Sequence, residues 1–224
     1  MNKIDIAVVD YGMGNLRSVS KALEHVAPQL SVVVTSNPED LMQAERVVFP
    51  GQGAMPDCIR ELDARGLREA VTHAAKNKPF LGICIGLQML FDRSEEGDAA
   101  GLGIFAGNVK RFLQADMHVL NTETQQSEKL KVPHMGWNEV YQVTPTGSGT
   151  HPLWQNIKSG ERFYYVHSYY VAPSSPTLIA GYSEYPTQFT SAIAQDNLFA
   201  VQFHPEKSAQ AGLQLLQNFV QWQP

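Results

Sequence analysis

Cys84 is the residue of this sequence with the clearest capacity for chemistry. It lies between Gly82 and Gly86, directly after the apolar run Phe80–Ile83, where a buried strand would end and a helix would begin. A strand–turn–helix arrangement with small neighbours is typical of a nucleophile elbow, which presents a reactive side chain on a tight turn. A thiol at a helix N-terminus is also favoured as the thiolate, its nucleophilic form. The spacing therefore predicts a cysteine nucleophile.

A histidine and a carboxylate two residues apart supply the partner that a thiolate nucleophile needs. In an extended segment His204 and Glu206 would point the same way, so the carboxylate could orient the imidazole for proton transfer. The pair follows Leu198–Phe203, an apolar run that is predicted to be a strand. Ligands bind at the carboxyl ends of strands in open α/β sheets. Cys84, His204 and Glu206 are therefore predicted to form a catalytic triad.

Each of these residues also has a plainer interpretation. A free cysteine in a globular domain is usually buried and structural, and this is our interpretation of Cys58, which lies in a helical pattern without flanking glycines. His204 beside Glu206 is also compatible with a solvated loop. The seven histidines show no metal-binding spacing such as HExxH, so we predict no metal and no other cofactor.

The elements that would position these residues begin with a regular first half of the chain. Short apolar runs alternate there with helical patterns, which predicts a parallel sheet covered by helices. The predicted strands are Ile4–Val9, Val32–Val34, Val47–Phe49 and Phe80–Ile83. One predicted helix begins at Asn15, and a second helical region spans Met55–Asn77 with a break at Gly66.

The second half has a different rhythm, with closely spaced β-prone runs and no helices between them. This pattern predicts antiparallel strands added to the same sheet. We also predict a final amphipathic helix at Leu213–Trp222, and a surface loop or ragged hairpin at Gln114–Lys131. The predicted strands are Arg162–Val166, Leu178–Tyr182, Ser191–Gln195 and Leu198–Phe203. The fold class is therefore α/β, a flavodoxin-like mixed sheet with helices on both faces, in a single domain over residues 1–224.

The composition argues against several classes of protein. The chain has 224 residues, of which 43% are hydrophobic and 17% charged, and a net charge of −5, as is typical of a globular domain. No run of four basic residues occurs, so nucleic acid is not a predicted partner. Two cysteines without CxxC spacing favour a reducing cytoplasm over a disulfide framework. No apolar stretch has the length of a signal peptide or a membrane span, so no membrane partner is predicted.

Six motifs together resemble the class I, triad-type glutamine amidotransferases. GICIGLQ at 82–88 and FHPEKS at 203–208 are similar to the nucleophile and base motifs of that family. The other four are DYGMGNLRS at 10–18, PGQGA at 50–54, VPHMGWN at 132–138 and VHSY at 166–169. Their combination resembles the glutaminase subunits of imidazole glycerol phosphate synthase, from the first strand to the last helix. This resemblance implies hydrolysis of glutamine to glutamate and ammonia in histidine biosynthesis.

The resemblance also implies roles for individual residues. Cys84 would be the nucleophile, His204 the general base and acid, and Glu206 the orienting carboxylate. Binding of glutamine and of the oxyanion would involve Gly51, Gln52, Gly53, Gln88, His167, Ser168 and Tyr169.

A partner protein is implied as well. It would be a (β/α)8-barrel cyclase that forms a heterodimer with this chain and uses the ammonia to make imidazole glycerol phosphate and AICAR. Its interface would involve Pro133, Met135, Trp137, Asn138, Tyr164 and Lys207. Exposed Met and Trp are typical of interface hot spots, and a position in the core is the alternative for Trp137.

Three other functions compete with this interpretation. Another class I amidotransferase, serving a different synthase, is opposed by the motifs at 132–138 and 166–169. A stand-alone cysteine hydrolase or peptidase on the same fold would be fully active without a partner. A nucleotide-binding protein would use the glycines of Gly12-Met13-Gly14, but Arg17 replaces the third glycine of the dinucleotide motif.

Overall fold

The computed structural model of this chain describes residues 3–113, 117–120, 127–144 and 149–224. No helix within these ranges is long and apolar enough to cross a membrane. The helices are α1 Leu16–Val26, α2 Pro38–Gln43, α3 Met55–Ala64, α4 Arg68–Asn77, α5 Ile85–Gln88 and α6 Ala209–Gln221, with short 3₁₀ turns at Pro152–Trp154, Pro176–Leu178 and Pro205–Lys207. The strands are β1 Ile6–Val9, β2 Val32–Thr35, β3 Arg46–Phe49, β4 Phe80–Ile83, β5 Phe91–Ser94, β6 Ala99–Ala100, β7 Phe105–Arg111, β8 His118–Leu120, β9 Ser127–Lys129, β10 His134–Gln142, β11 Glu161–His167, β12 Tyr169–Pro173, β13 Ile179–Glu184, β14 Gln188–Gln195 and β15 Leu198–Val201.

A parallel sheet forms the centre of the fold. Its strand order is β2-β1-β3-β4-β15, and every neighbouring pair in that series is parallel. This is the 2-1-3-4-5 order of flavodoxin-like folds, so the predicted fold class is confirmed. β1, β4 and β15 are buried along their whole length, because helices cover the sheet; α1 packs with α6, and α2 packs with α4.

The role of β15 differs from the prediction in a way that creates the site. The run after Leu198 was expected to be one more antiparallel strand, and it does pair antiparallel with β14. On its other side, however, it lies parallel to β4, with Val201 opposite Ile83. The Cys84 N–H donates to the Val201 carbonyl at 2.8 Å. The segments that follow β4 and β15 therefore emerge side by side at the same edge of the sheet.

Antiparallel pairs extend the sheet beyond β15, as predicted, except that β5 lies parallel to β7. The added strands include some that the sequence analysis missed. β14 is followed in the sheet by β12, β7, β5 and β6. A branch also begins at β14, where β13 pairs with β14, β10 pairs with β13, and β11 pairs with β10. β7 and β10 were missed because their buried and exposed residues alternate and both contain a glycine, so neither forms a continuous apolar run. In the described residues, thirteen strands form this one sheet.

The predicted helices are confirmed with two differences. The helical region at Met55–Asn77 is two helices, α3 and α4, separated at Gly66 as expected. The last helix begins at Ala209 rather than Leu213, and Leu215 is fully buried whereas Leu213 is only half-buried. α2 was not predicted, because its six residues are too few to show helical periodicity.

The segment Gln114–Lys131 was expected to be a loop or a ragged hairpin. In its described part, β8 and β9 pair antiparallel, with His118 opposite Lys129. Residues 114–116 and 121–126 of this prediction lie outside the described residues.

Candidate active site

Cys84 occupies a strained turn that its flanking glycines make possible. Its backbone has φ 55° and ψ −109°, a conformation that costs a non-glycine residue of order 1–3 kcal/mol and is concentrated at functional sites. A Cβ atom on Gly86 would lie 1.8 Å from the Phe49 carbonyl oxygen, and one on Gly82 would lie 2.9 Å from the Ala200 Cβ. Only glycine fits at these two positions, so the spacing that predicted the elbow has a steric cause.

The helix after Cys84 is shorter than expected. α5 spans only Ile85–Gln88, because β5 begins at Phe91. One turn carries little macrodipole, so the dipole contributes less to thiolate stability than the sequence suggested. The N–H groups of a first helical turn still lack helical partners and can stabilise an oxyanion beside the sulfur.

His204 and Glu206 form the expected pair, although the backbone between them is not extended. Residues 205–207 form a 3₁₀ turn, and this turn brings His204 Nδ1 within 2.9 Å of Glu206 Oε1. The two side chains are 4% and 1% exposed, so the interpretation as a solvated loop is wrong. Neither His204 Nε2 nor Glu206 Oε2 has a hydrogen-bond partner among the described residues.

The backbone of His204 is fixed by hydrogen bonds to β11 and to the start of α6. Its N–H donates to the Tyr164 carbonyl at 2.9 Å. The Ser208 hydroxyl donates to the His204 carbonyl at 2.6 Å and accepts from the Tyr164 N–H at 2.9 Å. These bonds hold the backbone of His204 in place and so restrain the position of its imidazole ring.

The charge state of His204 is set by its two neighbours. Burial opposes a charge on the ring, but interactions with the Cys84 thiolate and with the Glu206 carboxylate outweigh it and raise the pKa of His204 to about 10. At neutral pH the ring is therefore an imidazolium beside the sulfur. Such a pair provides a nucleophile and a proton donor together.

A pocket of about 280 Å³ opens onto the sulfur. Gly51 lies behind its wall rather than in it, since a Cβ there would meet the Tyr11 hydroxyl oxygen at 2.1 Å. The residues singled out by the sequence that line this pocket are Gln52, Gly53, Cys84, Gln88, Pro133, His167, Ser168, Tyr169 and His204. The structure therefore brings together residues from both halves of the chain.

Gln88 reaches the pocket from the end of α5. Its Nε2 donates to the Tyr169 carbonyl and to Gln202 Oε1, both at 3.1 Å. Its Oε1 is buried, with no partner among the described residues. The Gln88 residue therefore lines the pocket, while its Oε1 atom is enclosed by protein.

Two residues of the site were missed by the sequence analysis. Glu96 lines the pocket and is the one acidic side chain among the described lining residues; its Oε2 accepts from the Met55 N–H at 2.8 Å. Gln202 is fully buried, with Nε2 3.8 Å from Cys84 Sγ. Gln202 could have been noticed as an amide in the otherwise apolar run 198–203. Glu96 follows another glutamate in a polar segment and carries no such signal.

Two further buried histidines are bonded to each other, and one of them, His167, lines the pocket. His167 Nδ1 lies 2.8 Å from the Tyr169 carbonyl oxygen, which accepts only, so Nδ1 carries the proton. His167 Nε2 then accepts from His134 Nδ1 at 2.9 Å, and His134 Nε2 accepts from Asn138 Nδ2 at 3.4 Å. Burial lowers the pKa of His134 to about 4. Burial and the facing His134 ring lower the pKa of His167 to about 3, so both rings are neutral at pH 7.

Of the residues expected at an interface, Pro133 lines the pocket, Lys207 ends the 3₁₀ turn after His204, and the others lie on β10 and β11. Met135 and Trp137 are 61% and 51% exposed, and they share one face of β10 because they are two residues apart. A core position for Trp137 is therefore wrong; its ring lies edge-on to Tyr164 across the strand pair. Asn138, Tyr164 and Lys207 are half-buried, and Asn138 Nδ2 donates to the Glu184 carbonyl at 2.9 Å.

The glycines proposed for nucleotide binding are packed against protein. A Cβ on Gly12 would lie 2.5 Å from Arg65 Nη2, and one on Gly14 would lie 3.4 Å from Gly51 Cα. This loop therefore packs against the segment at Gly51 and against the Arg65 side chain. Across the described ranges, no group of three or more His, Cys, Asp or Glu side chains is arranged to hold a metal ion.

Comparison with known proteins places these features in a family. Residues 7–222 match the family model described as glutamine amidotransferase class-I. A relative from Thiobacillus denitrificans named imidazole glycerol phosphate synthase subunit HisH is 64% identical over 99% of this chain and 92% of its own length. A relative of the same name from Nitrosospira multiformis is 64% identical over 98% of this chain and 99% of its own length.

Solved structures agree on the fold. A putative GMP synthase protein from Thermoplasma acidophilum superposes with a TM-score of 0.67 at 16% identity, covering 99% of this chain and 94% of that one. A glutamine amidotransferase structure gives a TM-score of 0.67 at 14% identity, covering 96% and 97% of the two chains. At these identities the likeness concerns the fold alone.

Proposed function

The chain belongs to the class-I glutamine amidotransferase family, and we propose that it is the glutaminase subunit of an imidazole glycerol phosphate synthase. It hydrolyses glutamine to glutamate and ammonia, and the ammonia serves histidine biosynthesis in the cytoplasm. The observation that carries the chemistry is a strained Cys84 beside the buried His204–Glu206 pair in one pocket. Near full-length identity of 64% to proteins named subunit HisH supports this synthase over those served by other amidotransferases. The whole chain acts as one amidotransferase domain.

The reaction begins with attack of the Cys84 thiolate on the side-chain carbonyl carbon of glutamine. The C–S bond forms and the carbonyl π electrons move onto oxygen, giving a tetrahedral oxyanion. Backbone N–H groups at Ile85 and in the Gln52–Gly53 loop stabilise that charge, because both lie at the pocket beside the sulfur. The imidazolium form of His204, favoured by its raised pKa, then protonates the departing nitrogen, and ammonia leaves.

The second half-reaction regenerates the enzyme. Neutral His204 takes a proton from water while the resulting hydroxide attacks the glutamyl thioester. The C–S bond breaks, the electron pair returns to Sγ, and glutamate leaves. Glu206 accepts a hydrogen bond from His204 Nδ1 in every step, so it holds the tautomer that presents Nε2 to the reacting atoms.

Recognition of glutamine uses two groups with complementary charge and polarity. Glu96 is a carboxylate at the pocket wall, and its negative charge is suited to the α-ammonium group of a free amino acid. Gln88 lines the same pocket, and the Tyr169 carbonyl and Gln202 hold its amide in place, so it presents a fixed polar side chain to the substrate. A peptide bond at the α-nitrogen would remove that ammonium charge, which disfavours a peptidase.

The partner is a (β/α)8-barrel cyclase that docks over the pocket mouth. Ammonia that escaped into water would be protonated and lost as a nucleophile, so a covered route to the partner is chemically advantageous. The exposed pair Met135 and Trp137 supplies the apolar centre of this interface, and Pro133 continues it to the pocket. Asn138, Tyr164 and Lys207 complete the contact surface.

The test is glutamate release from glutamine by the purified chain, alone and with the barrel cyclase and its phosphorylated ribonucleotide ligand. Cys84→Ala should abolish release under both conditions, because no other group replaces the thiolate. Cys58→Ser is the matched control: it removes the other cysteine but keeps a donor for the Gln52 carbonyl, to which Cys58 Sγ lies at 3.7 Å. This control should keep most of the activity.

Each outcome decides one part of the proposal. Strong stimulation by the liganded cyclase, absent from Cys84→Ala, supports both the triad and the pairing with the cyclase. Full activity without the cyclase contradicts the partner and favours a stand-alone hydrolase. Release that persists in Cys84→Ala contradicts the nucleophile, and absence of release under every condition contradicts glutamine hydrolysis itself.

A further inference from the structure

Gln202 is an amide side chain buried against the reactive sulfur. It follows β15 directly and precedes the triad histidine by two positions. The residue is fully buried, and its Nε2 lies 3.8 Å from Cys84 Sγ, within hydrogen-bonding reach of a sulfur. A buried amide contacting the atom that forms and breaks bonds is placed to influence the reaction.

The hydrogen bonds around Gln202 determine which of its atoms faces the sulfur. The Tyr169 carbonyl can only accept, so Gln88 must present its Nε2 there, at 3.1 Å. The same Nε2 lies 3.1 Å from Gln202, so Gln202 must turn its oxygen toward Gln88. Its remaining amide atom, the Nε2 donor, is therefore directed to Cys84. A single backbone carbonyl thus fixes the polarity of a chain of two amides that ends on the sulfur.

We propose that Gln202 is a catalytic hydrogen-bond donor to Cys84 Sγ, which stabilises the thiolate before attack and again when the thioester is cleaved. This inference deepens the proposed glutaminase function and rests on it. Gln202 transfers no proton: when the C–S bond breaks, the electron pair returns to Sγ and the amide N–H meets the negative charge. His204 changes its protonation state during the cycle, whereas the amide presents the same donor throughout.

The chain of amides also connects the sulfur to the substrate. Gln88 is the end of this chain away from Cys84, and it lines the pocket. A substrate group that contacts the Gln88 side chain polarises its amide, which strengthens its donation to Gln202 Oε1 and, in turn, donation from Gln202 to the sulfur. Occupation of the pocket by glutamine therefore increases stabilisation of the thiolate that will attack it.

The test is the pH dependence of Cys84 alkylation by iodoacetamide, followed by peptide mass spectrometry that separates Cys84 from Cys58. Gln202→Met keeps a similar length and removes the donor; Gln202→Glu keeps an oxygen for Gln88 and replaces the donor with a second oxygen. Gln195→Met, the same substitution at an exposed position at the far end of β14, is the control. Thermal unfolding of each variant reports whether the fold is retained.

We expect the midpoint of alkylation to rise by about one pH unit in Gln202→Met, and at least as much in Gln202→Glu, since a hydrogen bond to a charged group has about this strength. Gln195→Met should match the wild type. In glutamate release, kcat should fall about tenfold in Gln202→Met, with a smaller change in KM. Wild-type midpoints in both Gln202 variants, with an increase in KM alone, would show that Gln202 only positions Gln88 and would overturn the proposal. Alkylation needs no glutamine, so this result is independent of whether the chain is a glutaminase.

Discussion

Two buried histidine sites border the same pocket, and they differ in charge: His204 is protonated at neutral pH, whereas His134 and His167 are neutral. His204 keeps its proton well above neutral pH, with a pKa raised to about 10, whereas burial lowers the pKa of His134 to about 4. Both rings are almost fully buried, so burial does not explain the difference. What differs is the groups that face each ring. The Cys84 thiolate and the Glu206 carboxylate face His204, whereas His134 bonds to neutral His167, which in turn donates to the neutral Tyr169 carbonyl.

This difference shows that one pocket contains a histidine suited to proton transfer and a neutral histidine pair suited to a structural role. A carboxylate and a thiolate together stabilise an imidazolium, so His204 can give up a proton during the reaction. The pair of His134 and His167 is satisfied only when neutral, because protonating either ring would set two N–H groups against each other. The two sites therefore contribute to folding stability in opposite pH windows. The contribution of the His204 proton is full below about pH 6.5 and is lost as the pH rises through about 10.

Removing the charged site should have the largest effect. His204→Asn eliminates the group that protonates ammonia and activates water, and the rate of glutamate release should fall about 10⁴-fold or more. Stability at pH 7 should also fall, because the buried Glu206 carboxylate loses its hydrogen-bond partner. The measurement is kcat with the liganded cyclase present, beside the free energy of unfolding in urea. A variant that retains a tenth of the wild-type rate would contradict the assignment of His204 as acid and base.

Replacing the Glu206 carboxylate with a neutral amide should have the next largest effect. Glu206→Gln replaces the carboxylate with an amide, so the pKa of His204 should fall, because the interaction with Glu206 is one of those that raise it. The rate of glutamate release should fall about 10²- to 10³-fold. Titration of the histidine ring signals by NMR reports the pKa directly. An unchanged pKa would show that Cys84 alone maintains the imidazolium.

Some residues of this site were predictable from the sequence and others were not, and the reasons are physical. Cys84 and His204 were predictable because local steric and spacing rules surround each of them, such as the glycines at 82 and 86. Their proximity was predicted from the rule that ligands bind at the carboxyl ends of strands, and from the family resemblance. It depends on the parallel pairing of β15 with β4, which joins residues about 118 positions apart, as in Leu198 opposite Phe80, and no local pattern encodes such a pairing.

Residues that act through the folded surroundings were the hardest to find. Glu96 belongs to the site only because its segment folds against the start of α3, where it accepts from the Met55 N–H. The strands β7 and β10 were missed because each has one exposed face, which breaks the apolar run that reveals a strand buried on both faces. The sequence therefore predicted the parallel core well, and the antiparallel half that carries His134 and Trp137 only in part.

Acid should weaken the neutral histidine pair before it affects most carboxylates. With folded pKa values of about 4 for His134 and about 3 for His167, and about 6.5 when unfolded, their contribution is full above pH 6.5 and is lost as the pH falls toward those values. Each such ring makes the free energy of unfolding decrease by about 1.4 kcal/mol per pH unit in this window. His134→Phe keeps an aromatic ring between Tyr165 and Tyr185. This substitution should remove about one ring's contribution to the decrease in the free energy of unfolding between pH 6 and 5. An unchanged slope in urea unfolding at the two pH values would contradict the neutral assignment.

The half-buried His151 offers the smallest and most selective change. His151 packs against Phe199 and Trp222, and burial lowers its pKa to about 4, but it lines a cavity near the start of β15, away from the pocket. His151→Asn keeps an acceptor for the Leu153 N–H, which His151 Nδ1 now accepts at 3.2 Å. We expect a loss of about 1 kcal/mol of stability at pH 7 from reduced packing, a shallower decline toward pH 5, and unchanged glutamate release. A large fall in activity would mean that acid sensitivity and catalysis are coupled through the sheet, rather than confined to the histidines that border the pocket.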